Sequence, residues 1–281
     1  MSNVYLFSSS TTDYPWLEGW RASLREHCNV PWEIFNLDEF PSVMPHKIVQ
    51  HGEWLDLAPP NLEPEDVVLF VDADCVMQRP FTQQELDFFK GMGFGEMAGY
   101  YNMGPFYGLY NEGWTLAKPR SNAALVKAYQ LLKDKKDEAT FNGGFLAARV
   151  DTWKVHRQFF EKYWPIINDA WEHYGKMQIL ISYVMHRHLI ARPLPSTVTT
   201  HGMMDFMPSE VNFNGTTVEV NRVPVAVRHA LFLEPRKDIK MPENAKQAPW
   251  PEGAVRPIPP EQRRLVQCPL ASPAPTGSQQ T

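Results

Sequence analysis

The chain has 281 residues, of which 43% are hydrophobic, 12% aromatic and 21% charged, a composition that excludes global disorder, collagen-like repetition and a disulfide-stapled miniprotein. Its 27 basic and 32 acidic residues give a formal charge of -5, so it lacks the broad basic surface that general nucleic-acid binding requires. Three scattered cysteines, Cys28, Cys75 and Cys268, suit neither a disulfide framework nor a zinc knuckle and read as reduced thiols. With no basic leader in MSNVYLFSSS and no apolar run near the roughly 18 residues of a membrane span, a cytoplasmic location without a membrane span is expected.

In chain order, Val4-Tyr5-Leu6-Phe7 reads as a strand ending in a polar turn, Ser8-Ser9-Ser10. Trp16 to His27 carries Trp16, Leu17, Trp20 and Leu24 at helical spacing, and Glu33 to Leu37 reads as a second strand. Val67-Val68-Leu69-Phe70-Val71 is a continuous apolar, β-branched run, the pattern of a strand covered on both faces. Ser121 is placed as the N-cap of a helix running through Ala124, Leu125, Ala128, Tyr129 and Leu132. Gly144 to Arg149 is a further strand. Helices follow at Thr152 to Tyr163, ended by Pro165, and at Lys176 to His188, with a late strand at Val223 to His229.

The alternation predicts an α/β fold: a Rossmann-like, mostly parallel sheet flanked by helices over residues 1–234. Ten of the 25 prolines fall after residue 234. Residues 235–281 are therefore expected to form a Pro-rich wrapping or partly disordered tail.

Chemistry is concentrated where the Val67 to Val71 strand runs into Asp72-Ala73-Asp74. In extended backbone, residues i and i+2 project the same way, so both carboxylates are expected to face one object. Two such charges repel and resist desolvation. A divalent cation relieves both, and carboxylate oxygens are the hard ligands favoured by Mg²⁺ and Mn²⁺. The plainer alternative is a polar turn after a core strand.

Asp72-Ala73-Asp74 after Val-Leu-Phe-Val, followed by Arg79-Pro80-Phe81, resembles the DxD segment of GT-A fold glycosyltransferases, above all their family-8-like branch. Phe141-Asn142-Gly143-Gly144-Phe145 is similar to the segment that lines the donor-sugar and acceptor site in that family. Val227-Arg228-His229 resembles the late strand whose histidine completes the metal site. After His229 the chain lacks the family's glycine and Lys-Pro-Trp, leaving Arg236 or Lys237 as diphosphate contacts, and Gln178 follows methionine rather than the family's aspartate.

The resemblance implies transfer of a sugar from a nucleotide-diphosphate sugar, with a uridine diphosphate sugar as the expected donor and retention as the expected outcome. It implies Asp72, Asp74 and His229 as ligands of Mn²⁺ or Mg²⁺. Asn142, Gly143, Gly144 and Gln178 would touch the sugar, and Ser8, Ser9 and Lys47 the nucleotide. The glycines suit a place where backbone approaches a sugar closely; a plain turn before a strand is the other reading of them. The acceptor hydroxyl is open: a glycan, a protein or a hydroxymethylated DNA base.

Two other functions fit the same residues. Asp72-Ala73-Asp74-Cys75-Val76 matches a loose D-x-D-x-[TV] pattern, as in haloacid-dehalogenase-type phosphatases with Asp72 as nucleophile. A non-catalytic sugar-nucleotide-binding module would keep the fold without the reaction. Cys75 reads as a buried thiol, and His186 and His188 as structural.

Overall fold

A computed structural model describes residues 2–14, 16–38, 62–105, 122–135, 138–170, 176–199, 211–214, 217–220 and 223–229. Lys47, Ser121, Arg236, Lys237 and the 235–281 tail lie outside the described residues. The elements are β1 (Val4–Ser10), α1 (Leu17–His27), β2 (Trp32–Asn36), β3 (Val67–Val71), β4 (Cys75–Met77), α2 (Gln83–Lys90), β5 (Glu96–Pro105) and α3 (Asn122–Leu132). They continue with β6 (Ala139–Arg149), α4 (Val150–Ala170), α5 (Lys176–His188), β7 (Ile190–Pro193), β8 (Val211–Asn214), β9 (Thr217–Val220), β10 (Val223–Pro224) and β11 (Val227–His229).

Six strands form one mixed sheet in the order β2-β1-β3-β6-β5-β7. Strands β2, β1, β3, β5 and β7 run one way, and β6 runs against its neighbours β3 and β5. The expected mostly parallel α/β sheet is therefore present, with one reversed strand at its centre. The apolar run of β3 follows from covering on both faces. Val68 and Phe70 enter a core with Phe160 and Ile167 of α4 and Leu180 and Val184 of α5. Val67, Leu69 and Val71 enter a second core with Trp20 and Leu24 of α1 and Phe89 of α2. Alternate residues of a strand face opposite sides, so a doubly covered strand is apolar throughout.

Several boundaries differ from the sequence expectation. Ser8 to Ser10 do not turn; they extend β1, pairing with Ile34 to Asn36 of β2. The Ser8 hydroxyl donates to the Val71 carbonyl and accepts the Trp20 indole N–H at 2.8 Å, which lets a polar residue sit fully buried. Pro165 does not end its helix either, since α4 runs on to Ala170. Proline inside a helix costs about 3 kcal/mol, and here Ile167 and Ala170 beyond it are fully buried, which offsets that cost. The late strand is split into β10 and β11 by a bend at Val225 and Ala226. Among the described residues, no helix is long and apolar enough to cross a membrane.

Candidate functional site at the carboxyl end of the central strands

Ligands of open α/β sheets bind beyond the carboxyl ends of the parallel strands. At that end of β3 the backbone does not stay extended. The Cys75 N–H donates to the Asp72 carbonyl at 3.2 Å, closing a turn over Asp72 to Cys75. The backbone is therefore not extended through Asp74 as expected, while Asp72 and Asp74 both stand near enough to the Tyr100 hydroxyl to act on it. The chain turns because β4 must leave the sheet to pair antiparallel with β11, Cys75 opposite His229.

The turn assembles a different group. An Asp74 oxygen stands 3.2 Å from His229 Nε2. Ligand atoms of Asp74, Cys75 and His229 all lie within 4.8 Å of one another. All three residues are buried. Asp72 is half-buried and is not in that group, though its backbone N–H donates to the Gly144 carbonyl at 2.9 Å. The structure thus brings together Asp74 and His229 of the expected metal ligands and adds Cys75 to them.

On the other side of the site is a bulge in β6. Pairing advances from Gly99 to Tyr101 on β5 while it advances from Leu146 to Phe141 on β6, so Asn142 to Phe145 oppose Tyr100 alone. Asn142, Gly143 and Gly144 thus lie inside a strand and not in a turn before one. The Asn142 side-chain oxygen accepts the Gly144 N–H at 2.6 Å, holding the bulge. A Cβ on Gly144 would lie 2.9 Å from His229 Cε1 and 2.9 Å from Asn142 Oδ1, so glycine is required there. Bulges of this kind commonly stand beside functional sites, where they redirect side chains.

Tyr100, opposite the bulge, shares a 2.8 Å hydrogen bond with His229 Nδ1. Burial pushes its phenol well above the usual range, and Cys75, Asp72 and Asp74 raise it further. The hydroxyl therefore keeps its proton across ordinary pH. Nothing in the spacing of the sequence marked Tyr100, because its role depends on β5 meeting β11.

Register of β11 is fixed from outside the site. All five N–H donors of Arg79 are used: Nε to the Pro224 carbonyl, and the two terminal nitrogens to Glu85, Pro80 and Thr197. Gln78 adds bonds to Val225 and Ala226. Glu85 also closes a capping box with Thr82 at the start of α2. That helix was missed in the sequence, although Thr82-Gln83-Gln84-Glu85 is a capping-box signal.

Of the remaining expected residues, Ser8 and Ser9 are buried at the carboxyl end of β1. Gln178 is half-buried in the first turn of α5. One turn further along, Ser182 Oγ accepts the Phe141 N–H at 2.8 Å, and a Cβ on Gly143 would lie 3.1 Å from Ile181 Cδ1. The amino end of α5 therefore faces the same end of the sheet as the bulge.

The donors present, a carboxylate, an imidazole and a thiol, fit a divalent cation. Comparison with protein-family models and with curated protein sequences finds no match.

Proposed function

We propose that the protein is a cation-dependent glycosyltransferase that moves a sugar from a nucleotide-diphosphate sugar, a uridine diphosphate sugar first among the donors, to a hydroxyl acceptor with retention. The observation that supports this reading most is the meeting of the buried Asp74–His229 pair with the glycine-containing bulge at the carboxyl end of β3. Asp74 and His229 would hold the cation, Mn²⁺ in the resembled family. Its chemistry there is to offset the negative charge that gathers on the departing diphosphate.

The chain's own residues do the rest. Asn142 spends its side-chain oxygen on Gly144, so its amide N–H groups are what it offers a sugar hydroxyl. Gly143 lets the fully buried Ile181 of α5 pack against the bulge, which would hold the Asn142 backbone in place beside the sugar. Gln178, at the amino end of α5, supplies a second amide from the facing element. Asp72, anchored through its backbone to Gly144, would add a second carboxylate near the Tyr100 hydroxyl.

Release of nucleoside diphosphate from a panel of nucleotide sugars, with and without divalent cation, tests the reading. The expected result is cation-dependent release with one donor, reduced at least about 100-fold, or about 3 kcal/mol, in Asp74→Asn. Phosphate-monoester hydrolysis through an acyl phosphate on Asp72 would replace it with a phosphatase. Nucleotide binding without turnover would leave only a binding module.

A further inference from the structure

Cys75 gives this end of the sheet a donor that an all-oxygen cation site does not use. It opens β4 directly opposite His229, and opposed residues of an antiparallel pair project from the same face. We propose that Asp74, Cys75 and His229 form a site for a thiophilic divalent cation of the Zn²⁺ class, with Tyr100 as the positioning residue for His229. The site stands whether or not the chain transfers sugar; it concerns which cation these residues prefer.

Four observations carry it. First, three different ligand types converge from a turn and two paired strands, with all ligand atoms within 4.8 Å. Tetrahedral coordination with bonds of about 2.0–2.3 Å needs ligand atoms roughly 3.3–3.8 Å apart, a distance that small side-chain rotations reach. Secondly, sulfur with nitrogen and one carboxylate oxygen is a soft-to-borderline set that suits Zn²⁺, whereas Mg²⁺ and Mn²⁺ favour oxygen.

Thirdly, the His229 ring is aimed. Its Nδ1 is engaged by the Tyr100 hydroxyl and its Nε2 faces Asp74 at 3.2 Å. Histidines that ligate metals characteristically have their second ring nitrogen held by a partner in this way. Fourthly, the scaffold is fixed: Arg79 and Gln78 hold Pro224, Val225 and Ala226 just before β11, and β11 itself pairs with β4 and donates from Val227 to Val198. Three protein ligands would leave a fourth position open, as in zinc sites that bind substrate or water.

The test uses the full chain, stripped with a chelator and titrated with Co²⁺ as a spectroscopic substitute for Zn²⁺. One equivalent is expected to bind with a near-ultraviolet thiolate-to-cobalt charge-transfer band. Zn²⁺ should displace it, with Zn²⁺ preferred over Mn²⁺ by roughly 100-fold or more. The band should vanish in Cys75→Ser and persist in the Cys28→Ser/Cys268→Ser double variant, which leaves Cys75 intact and keeps the test decisive if Cys75→Ser does not fold. Tyr100→Phe should keep the band at saturation while raising the Zn²⁺ Kd about 10-fold. Absence of the band in the wild-type chain, its loss in the double variant, or a preference for Mn²⁺ would overturn the site. Absence of sugar transfer with the band intact would remove the transferase reading alone.

Discussion

Gly144 packs against the His229 ring so closely that any Cβ would meet it at 2.9 Å. The same glycine accepts the Asp72 N–H and donates to Asn142. One residue without a side chain therefore couples the end of β3, the bulge of β6 and the histidine of β11.

Gly144→Ala should be costly where Gly143→Ala is not. At Gly144 the new methyl meets a buried ring and a buried amide, and overpacking of that kind costs about 1–3 kcal/mol. At Gly143 it meets only the far end of Ile181 at 3.1 Å, which can rotate away. Urea unfolding should show the difference, and divalent-cation affinity should fall at least about 10-fold in Gly144→Ala alone, because His229 must move. Equal behaviour of the two variants would refute the coupling.

Arg79→Lys should loosen the site from a distance. Lysine cannot hold Glu85 with two parallel bonds and also reach Pro224 and Thr197. Burial raises the Glu85 carboxyl, but hydrogen bonds from Arg79, Thr197 and Thr82 and the Arg79 charge leave it below its ordinary value. Its stabilising effect is therefore present above the ordinary glutamate range and is lost as pH falls through the lowered value. Lysine keeps the charge but forfeits hydrogen bonds to charged and buried partners, a loss of about 1–3 kcal/mol. Denaturation at pH 7 should show that loss in Arg79→Lys, and the gap to the wild type should narrow on acidification. A gap that stays constant from pH 7 to pH 3 would contradict this account.

His156 sets an acid limit on stability. It is fully buried between Trp153 and Phe160, and both ring nitrogens lack a hydrogen-bond partner among the described residues. Burial lowers it to about 3, so the unfolded chain binds the proton first. Stability should be complete above the ordinary histidine value of about 6.5 and fall as pH drops towards 3, with about 2 kcal/mol lost between pH 7 and pH 5. His156→Phe keeps an aromatic ring and removes the titration. Its unfolding free energy should lack that 2 kcal/mol decline; a decline as steep as in the wild type would assign the acid sensitivity elsewhere.

The amino-acid sequence alone determined β3 from Val67 to Val71, because a strand covered on both faces must be apolar at every position. It also gave α1 to within a residue, through helical periodicity, and α5 over the same span, and it singled out Asp72-Ala73-Asp74 after β3 as the candidate site. Lys47 and the proline-rich end, by contrast, fall outside the described residues. Tertiary structure decided what that segment presents. Asp72 and Asp74 were expected on one face of an extended strand, yet β4 has to meet β11, and the resulting turn groups Asp74 with Cys75 and His229. Tyr100 and His229 are 129 positions apart, and the bulge that places Asn142 to Gly144 exists only in the pairing of β5 with β6. Local propensity fixes what each segment becomes; the register between distant strands fixes which side chains meet.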